Sequence, residues 1–197
     1  MVMRKPDRDF VLSNLTKFVA EEGFGDSTWT IDLCYILWRF KVLFRYTTIT
    51  IGVDPGYSKE AFYDKVLAKD NARVTDRFNT ATENGMVILE KSVTLDDILD
   101  HLEKSGPVII LTNANLLTCS QCSNFSSCYQ FCFSGNVSYQ GHYIVLVGFN
   151  SKSKQILYRN PSVKDKVCYM SFDCLEESRT SYGTDEDVLF IFSQKHS

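Results

Sequence analysis

The chain has 197 residues, 44% hydrophobic and 23% charged, which is ordinary globular usage and excludes a disordered chain. The net charge of −3 excludes the basic face of a nucleic-acid binder, and no apolar run approaches the roughly 20 residues that span a bilayer. The opening MVMRKPDRDF lacks the apolar core of a signal peptide, and seven cysteines in such a chain point to a reducing compartment. The expectation is a soluble intracellular protein, cytoplasmic or nuclear, with no nucleic-acid partner and no membrane insertion.

Residues 9–22 place Val11, Leu12, Leu15, Phe18 and Val19 at helical spacing, with Gly23 as a stop. GDSTWTIDLCYILWRF offers Ser27 or Thr28 as an N-cap for an apolar helix to about Phe40. KVLFRYTTITIGV is rich in β-branched and aromatic residues and predicts a strand, followed by a turn at DPGYS. KEAFYDKVLA and ARVTDRFNTATENG predict two helices. The second has Val74, Phe78 and Ala81 on one face and Gly85 past its end. MVILE predicts a short strand. TLDDILDHLEKSG predicts a helix capped by Thr94, with Asp96 and Asp97 at its positive end and Leu95, Ile98, Leu99 and Leu102 as its apolar stripe.

PVIILTN predicts a buried strand, and residues 119–138 form a polar, cysteine-rich excursion. HYIVLVGFN and KQILYRN, joined by SKSK, predict a hairpin; SFDCLEESRTS predicts a helix and EDVLFIF a last strand. Helices come first and an antiparallel sheet dominates the second half, so the class is α+β, with residues 1–197 as a single domain.

Three groups of residues can carry chemistry. His142 stands at the mouth of a predicted central strand, where an imidazole can act as general base if a third group fixes its tautomer, and Asn160 ends the next strand at the same open end. If Asn150 pairs with Gln155, Asn160 falls opposite Val145, three residues from His142, so a bulge or strong twist is needed to join the two side chains. The alternative is a hydrogen-bonded structural histidine. Cys119, Cys122, Cys128 and Cys132 have the spacing C-x2-C-x5-C-x3-C, which suits a zinc site, a reduced loop or a pair of disulfides. Asp185, Glu186 and Asp187 form the one dense carboxylate group, either a divalent-cation site or a solvated acidic turn before a strand. No G-x-x-x-x-G-K-[ST] or G-x-G-x-x-G motif is present.

WTIDLCYILWRF, TITIGVDPGYSKEAFYDK, YQGHYIVLVGFN, YRNPS and SRTSYGTDEDVLF together resemble the guanylyl cyclase domain-containing proteins, over nearly the whole chain. The cysteine-rich excursion resembles that of the animal members. The resemblance implies a papain-like, C39-like cysteine peptidase fold, with N-terminal helices packed on a mainly antiparallel C-terminal sheet. It puts His142 of GHY in the histidine role and Asn160 of RNP in the orienting role. The nucleophile of that fold lies in a WDCG-like segment at the start of the first core helix. This sequence has no such segment and is expected to begin just after it, leaving a dyad remnant. The family name implies conversion of GTP to cyclic GMP, with Mg2+ or Mn2+ as the metal. Three readings stand open: a guanylyl cyclase, a non-catalytic interaction or regulatory protein with protein partners, and a thiol hydrolase if a longer form supplies the cysteine.

Overall fold

The computed structural model describes residues 5–24, 27–53, 64–120, 139–163 and 165–193. In chain order these form α1 (Lys5–Glu21), α2 (Thr30–Arg39), β1 (Phe44–Thr48), α3 (Asp64–Ala81), β2 (Val87–Glu90), α4 (Leu95–Lys104) and β3 (Val108–Asn113). A 3-10 turn (Ala114–Leu116), β4 (Gly141–Asn150), β5 (Gln155–Arg159), β6 (Cys168–Ser171), α5 (Phe172–Arg179) and β7 (Val188–Ile191) follow. The seven strands make one sheet, ordered β2-β1-β7-β3-β4-β5-β6. Only β1 and β2 run parallel; every other neighbouring pair is antiparallel. The α+β class stands.

Alternation along the strands gives the sheet two apolar faces, and helices cover both. On one face Ile98 of α4 and Leu175 of α5 pack with Ile110, Ile144, Leu146, Ile156 and Phe190. On the other, Ile31 and Cys34 of α2 and Val74 and Ala81 of α3 pack with Tyr46, Leu189 and Ile191. A fully buried side chain such as Ile98 or Leu175 contributes about 1.5–3 kcal/mol through apolar burial. The N-terminal helices cover one face, and β1 and β2 from the first half join the sheet itself.

Several elements differ from the sequence reading. α1 starts at Lys5 and buries only Phe18 of its apolar stripe, against Phe40 at 5.1 Å; Phe10 and Leu12 stay exposed. α2 is capped at Trp29, not at Ser27 or Thr28. Asp32 reaches back to the Trp29 amide at 2.9 Å, while the Ser27 hydroxyl turns to Asp70. The two helices expected before β2 are one helix, α3, because residues 68–72 contain no Pro or Gly to interrupt the i→i−4 ladder. β6 was not expected. It pairs with β5, with Cys168 and Met170 facing the core. α4 follows its reading closely: Thr94 accepts the Asp97 amide at 3.1 Å, and Asp97 accepts the Thr94 amide at 2.9 Å. The DPGYS turn lies outside the described residues.

Candidate functional site

β4 and β5 form the expected hairpin, with Asn150 opposite Gln155 and Gly148 opposite Leu157. A bulge between Leu146 and Gly148 then shifts the register, so Leu146 faces Tyr158 and Val145 faces Arg159. Val147 is the extra residue, and its side chain is 45% exposed. One more step in this register sets Asn160 beside Ile144, two residues from His142 and on the same face. The distance that a regular hairpin leaves open is closed: His142 Nε2 and Asn160 Oδ1 lie 3.0 Å apart.

This geometry sets the proton. Asn160 Oδ1 also accepts the Ser162 amide at 2.9 Å, and the Asn160 carbonyl accepts the Val163 amide at 2.9 Å, an Asx turn of the kind that Asn-Pro-Ser favours. The oxygen therefore faces the ring, and Nε2 is the donor. In the neutral imidazole Nδ1 keeps its lone pair and can take a proton from a nucleophile. Thr112, opposite on β3, donates to the His142 carbonyl at 2.8 Å and holds the strand in place.

The reverse face of the same sheet end carries a second network. Asp187 is buried at the start of β7 and takes hydrogen bonds from Tyr46 at 2.7 Å and from Thr30. Thr30 also bonds Tyr143 at 2.9 Å, which ties the start of α2 to the strand that bears His142. Burial pushes the Asp187 carboxyl up to about 7; the Thr30, Thr48 and Tyr46 hydroxyls pull it down, and nearby Asp185 pushes it up. Burial and then Asp187 push the Tyr46 hydroxyl and the Cys34 thiol well above their usual ranges. Cys34 is thus a neutral core thiol.

The acidic run does not act as a unit. Asp187 points into the core, and Glu186 accepts the Ser92 hydroxyl and faces Arg179 at 3.9 Å. Asp185 gives its carbonyl to the Ile49 amide at 2.9 Å. Among the described residues no group of three or more His, Cys, Asp or Glu converges to hold a metal ion. Of the four cysteines proposed for zinc, Cys119 is buried in the core beneath α4 and α5, and Cys122, Cys128 and Cys132 lie outside the described residues.

A family model described as guanylylate cyclase matches residues 1–191. The chain belongs to this family. Guanylyl cyclase 1 of Arabidopsis thaliana is 37% identical over 173 residues. The match covers 88% of this chain, and the chain spans 63% of the length of that relative. No solved structure matches. Among the described residues no helix is long and apolar enough to cross a membrane.

The sequence reading named His142 and Asn160, and the fold brings them together. It did not find Thr112, Tyr143, Thr30 or the turn at Ser162. Only the last had a local signal, the Asn-Pro-Ser triplet; the others depend on long-range pairing.

Proposed function

We propose that this member of the guanylylate cyclase family carries an enzyme site of papain-like, C39-like type, in which His142 is the general base and Asn160 its orienting partner. One observation carries this reading: the 3.0 Å contact from Nε2 to an amide oxygen that its own turn has already oriented. The chemistry it supports best is thiol-dependent acyl transfer at a peptide or isopeptide bond. His142 Nδ1 takes the thiol proton, the thiolate attacks the carbonyl carbon, and the imidazolium returns the proton to the departing amine. Water, deprotonated by the same nitrogen, then cleaves the thioester. The thiol belongs to a cysteine outside the described residues: Cys34, Cys119 and Cys168 are buried, and the half-buried Cys174 thiol of α5 is held on the Leu116 carbonyl at 3.3 Å.

The name of the Arabidopsis relative, guanylyl cyclase 1, favours a second reading, in which Nδ1 takes the proton of the GTP 3′-hydroxyl, the oxygen attacks the α-phosphorus, and pyrophosphate leaves. That reaction calls for Mg2+ or Mn2+ on the triphosphate. Glu186 and Asp187 turn to separate partners, and among the described residues no group of three or more His, Cys, Asp or Glu converges to hold such an ion.

The test is an electrophilic ubiquitin or peptide probe on the natural full-length protein, beside a cyclic GMP assay with GTP and each metal. Labelling of one cysteine, slowed about 10²–10⁴-fold by His142→Ala, supports the thiol reading. Cyclic GMP formation that falls likewise supports the second. Silence in both arms overturns catalysis and leaves a binding protein on the same scaffold.

A further inference from the structure

Tyr139 stands three residues before His142, just ahead of β4. Its ring lies flat against Gly183 in the loop that leads to β7. A Cβ built on Gly183 would meet three atoms of the Tyr139 ring at 2.7–2.9 Å. Gly183 is buried and holds φ +97, a left-handed backbone that disfavours any side chain. The hydroxyl end of the same ring comes back over Gly141, where a Cβ would meet it at 2.9 Å. One ring is therefore held between the first residue of β4 and a glycine of a distant loop.

That loop is firmly built. Thr184 donates to the Arg179 carbonyl at 2.6 Å, Glu186 is held by Ser92, and Asp187 is locked to Tyr46 and Thr30. On the other side of the strand entry, the Gln140 carbonyl accepts the Ala114 amide at 2.8 Å. The path of the chain into His142 is thus set by two contacts: the ladder to β3, and the Tyr139 ring seated on Gly183. The ladder fixes the height of His142 in the sheet. The ring bears on Gly141, the residue that opens β4 directly before His142.

We propose that Tyr139, seated on Gly183, is a positioning residue for His142. The proposal deepens the general-base reading, because it concerns the tautomer on which that reading rests. It also assigns the SYGTDED loop a task other than cation binding: it supplies the seat. A Cβ at Gly183 drives the ring away, and loss of the ring frees the strand entry. Both weaken the hydrogen bond from Nε2 to Asn160.

The experiment is nitrogen-15 NMR of the histidine rings in the full chain. The chain holds three histidines, His101, His142 and His196, so each signal can be followed. His101, bonded through Nε2 to the Ile191 carbonyl at 2.9 Å, is the internal control for general loosening. In Tyr139→Ala the His142 ring is expected to leave the single Nε2-protonated form for a mixture of tautomers. His101 keeps its wild-type signals, and Tyr139→Phe restores those of His142. Gly183→Ala is expected to match Tyr139→Ala, and if it fails to fold, the Tyr139 pair still carries the test. The proposal is overturned if Tyr139→Ala leaves His142 unchanged, or if His101 and His142 move together. This readout needs no substrate, so an inactive protein that still shows the His142-specific change refutes catalysis and not the positioning role.

Discussion

Asn160 reaches His142 only because Val147 is an extra residue in β4. With the bulge, Asn160 sits beside Ile144 and shares the face of His142; the contact is 3.0 Å. Without it, the strand parity would turn the Asn160 side chain to the opposite face. Deletion of Val147 is therefore expected to break this hydrogen bond as completely as Asn160→Ala does. The ladder between β3 and β4 persists. The measurement is the tautomer of His142 by NMR, and a wild-type signal in the deletion variant would sink the argument.

Asp187 links stability to pH. Its carboxyl is raised from 3.8 to about 7 by burial, so between these values the folded state holds a proton that the unfolded state has released. Stability from this group is greatest below about pH 4, falls as pH rises toward 7, and levels off above it. The penalty reaches on the order of 4 kcal/mol. Asp187→Asn keeps an acceptor for Tyr46 and gains a donor for Thr30. Urea titrations from pH 4 to 8 are expected to show a flatter profile in the variant, with higher stability than wild type at pH 8.

His101 imposes the opposite slope. Its ring lies between Phe190 at 4.9 Å and Phe192 at 5.0 Å, with Nε2 on the Ile191 carbonyl. Burial lowers its pKa from 6.5; the Ile191 bond opposes the shift and Arg45 adds to it. A lowered histidine contributes stability that is full above about pH 6.5 and lost as pH falls toward the folded value. His101→Gln retains a donor without the charge. Its urea midpoint is expected to lose less than that of wild type between pH 7 and 5.

Asp32 holds the start of α2 to α3. It is fully buried, receives the Trp29 amide at 2.9 Å, and pairs with Arg77 at 3.0 Å and with Arg73. Burial raises its pKa even against these partners. Asp32→Ala leaves two guanidinium groups without their shared anion and removes the helix cap, so a loss of about 3–5 kcal/mol is expected. Asp32→Asn keeps the cap acceptor and is expected to lose less. Chemical denaturation of both variants makes the comparison; equal losses would show that the charge, and not the cap, is what matters.

Local chemistry was legible in the sequence. The capping box of Thr94 and Asp97, the SKSK hairpin, the apolar run of β3 and the pairing of His142 with Asn160 as candidates all follow from residues close together in the chain, because propensity and alternation act over a few residues. The continuity of α3 rests on backbone hydrogen bonds that carry the helix across residues 68–72, where no Pro or Gly stops them. The tertiary structure alone decided the rest. The bulge at Val147 depends on how β4 must meet β3 on one side and β5 on the other. Asp187 left its acidic neighbours because register with Ile110 and Thr47 turns the end of β7 toward Tyr46 and Thr30. Tyr139 meets Gly183 across 44 residues because two strand entries converge at one end of the sheet. Such contacts are set by chain closure, which no local pattern records.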